Sequence, residues 1–312
     1  MEQKMKNTFI LLILLFQLMW AQNQGGMAGA FLRTGMGARQ MGMGGAAVAQ
    51  TTPDAMSFFY NPAQLPLLQH KTVGFGYQFL SLDRAISHMG ISLPLKPSGG
   101  LSLNWIHAGI RNLNSYNTYG EQTGEIGYGN EAFYTSFSQS IKNRVFIGIN
   151  FKFLWQHFGD GSDDFSYSDK GKAFDFGALV KLPWNLTAAT VLYNVGGTTK
   201  SNTNDLYERG LEIEEKLPLL WAAGLNYQTP VENLAVELNY VTSNHGQKDI
   251  RVGGEWEYRD VFVRAGLEDD RFHAGAGFFK KLDRMILGLN YAFVPGFVGE
   301  GASHLFSWQF LF

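Results

Sequence analysis

Residues 305–312 read LFSWQFLF, and every second side chain of this stretch is aromatic. Because successive side chains of a β-strand point to opposite faces, Phe306, Trp308, Phe310 and Phe312 share one face of a strand that closes the sequence. Such a face is typical of a strand that spans a membrane. An aromatic edge strand of a soluble β-sandwich has the same pattern, so the rest of the sequence must decide between the two.

The first 21 residues have the layout of a secretory signal peptide. Lys4 and Lys6 precede an apolar run over residues 9–16, and the small Ala21 precedes the polar Gln22. The apolar run is shorter than the about 20 residues that a transmembrane helix needs. We therefore expect residues 1–21 to direct the chain out of the cytoplasm and to be removed.

The composition limits the class of protein further. The chain has 37 Gly, 25 Phe, 13 Tyr and 7 Trp, yet its mean hydropathy is only -0.11. It contains no cysteine, so disulfides cannot stabilise it after export. A net charge of -2 argues against a strongly basic nucleic-acid binder. Beyond the signal peptide no apolar run is long enough for a spanning helix, so any membrane crossing must use strands.

Alternating apolar and polar residues, separated by turn residues, predict fourteen strands. They are predicted over residues 70–80, 84–95, 100–110, 131–141, 144–155, 172–182, 185–195, 217–228, 232–241, 249–258, 261–267, 271–279, 284–293 and 303–312. Short connections such as residues 142–143 alternate with long polar ones such as residues 111–130. Bacterial outer-membrane barrels have an even strand number, short periplasmic turns and long outer loops. We therefore predict a transmembrane antiparallel β-barrel over residues 70–312, in contact with outer-membrane lipid.

The parity of the side chains divides the strands into a lipid face and a lumen face. A charge on the lipid face near the midplane costs about 2 to 4 kcal/mol, so we assign the charged parity to the lumen. The predicted lumen charges are Lys152, Asp175, Glu237, Arg251, Glu255, Arg264, Glu268 and His273. We interpret them chiefly as structural ion pairs. Trp308, Phe310 and Phe312 are predicted to form the terminal signal that the barrel-assembly machinery recognises for insertion.

Residues 22–69 are glycine-rich and precede the first predicted strand. They lack the GxxxxGK[ST] spacing of a phosphate-binding loop, which argues against a nucleotide site. Asp54 stands where an N-cap would begin a short helix that ends before Pro66. We interpret this helix as a plug inside a wide barrel, with Met56, Phe58 and Phe59 available for a local apolar pocket. The predicted fold is thus an all-β barrel with a short helical plug.

The sequence FLRTGMGARQMGMGGAAVA at residues 31–49, followed by PDA at 53–55 and YNPAQL at 60–65, resembles the opening signature of the PorV/PorQ family of outer-membrane proteins. That family is similar in architecture to the FadL long-chain fatty-acid transporters, whose barrels have fourteen strands and an N-terminal plug. The resemblance implies that the motif Asn61, Pro62 and Ala63 lies within the barrel. Gln64 departs from the family pattern, in which Gly or Ala is commoner.

The resemblance implies a non-enzymatic role in type IX-like protein secretion or surface attachment. On this hypothesis the outer loops, chiefly residues 111–130 and 196–216, contact secretion cargo or attachment components. The alternative is a FadL-like channel for the uptake of hydrophobic small molecules, which needs an apolar cavity. The charged lumen argues against that alternative.

Catalysis is not expected. The seven histidines fall into no HxH, HExxH or GxSxG setting, so neither a metal, a cofactor nor a nucleophile is predicted.

Overall fold

The computed structural model describes residues 28–111, 113–159, 166–202, 211–296 and 301–312. The predicted signal peptide, residues 1–21, lies outside this part of the chain. None of the described helices is long and apolar enough to cross a bilayer.

The described chain forms seventeen strands, and fourteen of them build one closed wall. The wall strands are β1 (Thr72–Phe79), β2 (Arg84–Leu95), β3 (Gly99–Ile110), β6 (Gly127–Ile141), β7 (Val145–Gly159), β8 (Ser166–Lys181), β9 (Leu186–Asn202), β11 (Leu220–Gln228), β12 (Leu234–Ser243), β13 (Lys248–Tyr258), β14 (Val261–Glu268), β15 (Arg271–Lys281), β16 (Ile286–Val294) and β17 (Ser303–Leu311). Their neighbours pair antiparallel throughout, and β1 pairs with both β2 and β17. The predicted fourteen-strand antiparallel barrel is confirmed.

Each predicted strand coincides with one wall strand, but the long connections hold strands that were not predicted. These are β4 (Asn114–Tyr116), β5 (Gln122–Glu125) and β10 (Glu212–Lys216). β4 and β5 form a separate hairpin, and β10 extends the edge of β9. β8 and β9 also run several residues beyond their predicted outer ends. Polar residues dominate both faces of these segments, so they carry little alternation of apolar and polar residues that a parity argument could detect.

The outer face of the wall carries a belt of exposed apolar side chains. Phe151 and Phe153 on β7, Trp256 on β13 and Trp308 on β17 are each about two-fifths exposed. Soluble monomers rarely expose so large a contiguous apolar surface. An antiparallel barrel with an even number of strands and such a belt is of the bacterial outer-membrane type. The predicted outer-membrane location follows from this fold.

The inside of the barrel is filled by the plug, which we define as residues 30–68. It contains a 3₁₀ helix (Ala30–Arg33), α1 (Ala38–Gly42), α2 (Ser57–Tyr60) and a second 3₁₀ helix (Pro62–Leu67). Residues 35–50 are buried without exception. The single helix predicted to end before Pro66 is two short helices joined at Asn61, and the second of these includes Pro66. That prediction of the helix end was wrong because a short 3₁₀ segment accommodates a proline.

The wall meets the plug at inward-facing glycines, which we call the glycine collar. The collar consists of Gly74, Gly100, Gly148, Gly177, Gly224, Gly253, Gly266 and Gly275. A Cβ atom at Gly100 would lie 2.7 Å from the carbonyl carbon of Leu65, and one at Gly275 would lie 2.9 Å from the Cα of Gly42. Real Cβ atoms do not approach so closely, so the plug reaches the wall backbone only because these positions have no side chain.

The collar can be tested with two adjacent glycines of β13. A Cβ at Gly253 would overlap the carbonyl oxygen of Met43. Gly254 faces outward, and a Cβ there would lie 3.8 Å from the nearest atom, the carbonyl oxygen of Ala235. We expect Gly253→Ala to lower the free energy of unfolding by about 1 to 3 kcal/mol, as overpacking does. Gly254→Ala should change it by less than about 0.5 kcal/mol. Thermal unfolding in detergent measures both, and equal midpoints would contradict the collar.

Candidate functional site

Buried charges join the plug to β13 and β14. Arg39 of α1 donates two hydrogen bonds to the Glu255 carboxylate, at 2.8 and 2.6 Å. Arg264 donates to the same carboxylate at 2.5 Å. All three side chains are almost completely buried. Removing one member of a buried ion pair leaves its partner uncompensated, so this triad fixes the plug to the wall.

A second charged cluster lies on the same side of the lumen around Glu268. Its carboxylate is 2.9 Å from Arg251 and 2.5 Å from Arg271, and Arg251 is also 3.4 Å from Asp249. His273 stands 3.7 Å from Glu268, and its Nδ1 is 2.9 Å from the carbonyl oxygen of Met41 in the plug. This cluster therefore also contacts the plug.

On the opposite side, Lys152 of β7 and Asp175 of β8 form a buried ion pair of 2.7 Å. Asp175 also accepts hydrogen bonds from the Asn150 side chain at 3.0 Å and from the backbone N–H of Asn194 at 2.9 Å. Lys152 donates its second bond to the Asn194 side chain. These contacts satisfy the pair within the wall.

Glu237 completes the set of predicted lumen charges. It accepts from the backbone N–H of Ala49 in the plug at 2.7 Å, and from Asn226 and Asn239 at 3.1 and 2.8 Å. The structure thus places all eight predicted residues on the inner face of the wall. Some of these residues contact the plug, and the others contact residues of neighbouring strands.

The motif Asn61, Pro62 and Ala63 lies against the collar. The Asn61 side chain accepts from the backbone N–H of Ala63 at 2.9 Å and donates to the carbonyl oxygen of Val48 at 2.9 Å. Its amide oxygen faces Gly177, and the Pro62 carbonyl faces Gly148. All three motif residues are buried. In this structure they position the plug.

The predicted terminal signal lies on the lipid side of the closing seam. Trp308 and Phe310 point outward from β17, and the Phe310 ring is 6.3 Å from that of Phe75 on β1. The backbone of Phe312 exchanges hydrogen bonds of 2.9 and 3.3 Å with Lys71. Recognition of these residues by the assembly machinery stays a prediction.

A cavity of about 70 Å³ lies between the plug and the outer half of the wall, toward the end with the long connections. Its apolar lining consists of Leu32, Gly35, Val48, Phe59, Tyr60, Tyr134, Tyr193, Leu220 and Val241. Its polar lining consists of Arg33, Lys152, Asp175, Asn194, Gln247 and Arg251. Of the plug residues expected to form a pocket, only Phe59 lines the cavity, because Met56 and Phe58 are packed in the core beneath it. Sequence reasoning missed the tyrosines, although they stand at lumen parity.

The wall is irregular beside this cavity. The pairing of β8 with β9 shifts register on both sides of Phe174. On β9, Asn194 and Gly196 both have a φ of 62°, in the left-handed region. Asp175, Tyr193 and Asn194 line the cavity at this level. A β-bulge therefore lies at the flank of the cavity.

Neither a family model nor a curated protein matches the chain in sequence. Its fold matches solved channels. The CymD monoaromatic hydrocarbon channel has a TM-score of 0.63 at 11% identity, covering 89% of this chain and 97% of that one. The toluene transporter TodX of P. putida has a TM-score of 0.63 at 13% identity, and the match covers 89% of this chain and 99% of that one. A FadL homologue of Pseudomonas aeruginosa has a TM-score of 0.61 at 11% identity, and the match covers 89% of this chain and 98% of that one.

These identities are low, so the matches show the fold: a FadL-type barrel. The architecture implied by the resemblance is therefore confirmed. Membership of the PorV/PorQ family is shown by none of the matches, and it stays a prediction.

The buried triad leads to a prediction on stability. Glu255→Gln leaves Arg39 and Arg264 without the carboxylate that both contact, and we expect a loss of about 3 to 5 kcal/mol in the free energy of unfolding. Glu257→Gln is the matched control, because Glu257 lies two residues along β13 and is exposed. Urea unfolding of the detergent-solubilised barrel measures both variants. A similar effect of the two substitutions would mean that the triad does not anchor the plug.

Proposed function

We propose that this chain is a FadL-type channel for the uptake of hydrophobic small molecules across the outer membrane. The aromatic-lined cavity on the outer side of the plug carries this proposal. Ligand sites for such molecules are concave and mostly apolar, with a few polar groups that fix orientation, and the lining of this cavity has that character. The likeness in fold to barrels described as hydrocarbon channels supports the same function.

The size of the cavity means that a ligand must widen it. Its volume of about 70 Å³ is about half of the roughly 150 Å³ of an engineered cavity that holds benzene. Leu32 and Arg33 line it from the first 3₁₀ helix, and both are only partly buried. Residues 35–50 of the plug, in contrast, are all buried. Displacement of this helix is therefore the smallest rearrangement that would admit a single aromatic ring.

The exit follows from what surrounds the cavity. The route straight through the lumen is filled by the plug, which the collar and the buried charges hold in place. The bulge between β8 and β9 interrupts the regular ladder beside the cavity. In our proposal an apolar ligand leaves sideways through this part of the wall. The transfer of such a ligand into hydrocarbon is more favourable than its transfer into water.

A role in type IX-like secretion or surface attachment is the second candidate function. The β4–β5 hairpin favours it, because Tyr116 and Tyr119 are 60% and 88% exposed and tyrosine is enriched in protein interfaces. In this candidate, secretion cargo or attachment components would contact the hairpin. Asn61 to Ala63, which belong to the signature that suggested this role, are buried by plug packing and offer no surface to a partner. The channel is therefore the better supported function, and neither candidate requires catalysis.

Two valines of β12 separate transport from effects on the fold. Val241 lines the cavity, whereas Val236 points to lipid on the same strand. We expect Val241→Phe to reduce the uptake of radiolabelled toluene to nearly the rate of a strain lacking the gene, because the ring fills the cavity. Val236→Phe should transport at the wild-type rate.

Unchanged uptake in the strain lacking the gene would contradict the channel. Quantitative proteomics of the medium, cell surface and periplasm of the same strain tests the second candidate. Cargo retained in the periplasm, together with normal uptake, would support secretion.

A further inference from the structure

A group of lysines lies on the outside of the barrel, at the outer edge of the apolar belt. On β8, Phe176 and Phe174 face the lipid, and the next outward residues toward the outer end are Lys172 and Lys170. Lys200 of β9 is directly opposite Lys170, and its side chain is 57% exposed. We call Lys170, Lys172 and Lys200 the outer lysine patch.

The patch stands at the depth of lipid headgroups. Two residues of a strand tilted by about 40° rise about 5 Å along the membrane normal. Lys172 and Lys170 therefore lie about 5 and about 10 Å above Phe174. The headgroup region extends about 5 to 8 Å beyond the hydrocarbon core, so Lys172 lies within it and Lys170 at its outer boundary. Trp155 of β7 is directly opposite Lys170 and exposed. Tryptophan is enriched at this interface.

The positive charge of the patch is only partly balanced by the described chain. Lys200 lies 3.3 Å from Glu214 and 3.9 Å from Glu212. In the part of the chain that the structure describes, no carboxylate lies within ion-pair distance of Lys170 or Lys172. Lys170 is directly opposite Lys200, and like charges in such positions are destabilising; Glu212 and Glu214 offset this cost at Lys200 but not at Lys170. An external anion would remove this cost.

Polar residues on β3 and β6 are paired with one another. His107 of β3 and Glu131 of β6 belong to the same row of opposed residues as Trp155 and Lys170. There the Glu131 carboxylate is 2.6 Å from His107 and accepts from the Trp105 indole at 2.6 Å. Glu131 therefore has polar partners in the described chain, whereas Lys170 and Lys172 have no carboxylate partner there.

We propose that the outer lysine patch binds the phosphate groups of a phosphorylated glycolipid in the outer leaflet. Each lysine ammonium has three donors and no acceptor, which suits phosphate oxygens. Clusters of lysine beside a membrane surface bind anionic headgroups in this way. The flanking Trp155, Phe174 and Phe176 would contact the acyl chains. The site lies on the outside of the wall, so it is independent of the transported molecule.

Native mass spectrometry of the full barrel, titrated with bisphosphorylated lipid A, tests this proposal. We expect Lys170→Gln/Lys172→Gln to weaken the apparent affinity by about tenfold or more. The matched control is Lys280→Gln/Lys281→Gln, which removes the same charge from exposed residues at the opposite end of the barrel. Its affinity should equal that of the wild type. All four lysines are exposed, so both variants should fold, and heat-modifiable mobility on gels checks this.

Lipid A from which both phosphates have been removed is the second probe. It should bind the wild-type barrel as weakly as the bisphosphorylated lipid binds Lys170→Gln/Lys172→Gln. Equal affinity of the wild type for the two lipids, or equal weakening by the two double substitutions, would overturn the proposal. Uptake of toluene by Lys170→Gln/Lys172→Gln reports on the channel separately.

Discussion

Direct backbone contact between the plug and the wall, at strand positions that carry glycine, sets the geometry of the barrel interior. Collar glycines occur on eight of the wall strands and surround the plug on all sides. Because they fix its depth, Arg39 comes level with Glu255, and the carbonyl oxygen of Met41 comes level with His273. These buried groups would be costly without partners, so charge pairing in turn fixes the rotation of the plug. Neither the collar glycines alone nor the buried charge pairs alone would hold the plug in one position.

The wall could be predicted from the sequence because a β-barrel encodes its two faces in side-chain parity. Parity placed Glu255 and Arg264 in the lumen, but it could not show that both contact Arg39. That contact depends on the depth of the plug, which is set by steric fit at glycines such as Gly253. Tyr134 and Tyr193 were missed for a related reason. They line the cavity because the plug does not fill the lumen beside them, and strand periodicity contains no information on where the plug leaves space.

The structure also changes the meaning of the lumen charges for transport. The sequence predicts a charged lumen, which argues against the passage of hydrophobic molecules. In the fold, Glu237 and Glu255 are covered by the plug, and Lys152 is paired with Asp175. What remains accessible above the plug is largely aromatic and aliphatic. A lumen can therefore be ionic at the level of the plug and yet have a cavity with a mostly apolar lining, in which Arg33, Lys152, Asp175 and Arg251 are the charged groups.

The seating of the plug has a consequence for the order of assembly. The plug precedes every wall strand in the chain, yet the groups that hold it, on β12 to β15, are synthesised about two hundred residues later. The seam between β1 and β17 is completed by the last strand of all. Until then Arg39 and Asp54 have no enclosed environment and must remain hydrated, because an unpaired charge is excluded from hydrocarbon. The wall must therefore form around the plug, and folding of the interior ends only when the ring of strands is joined.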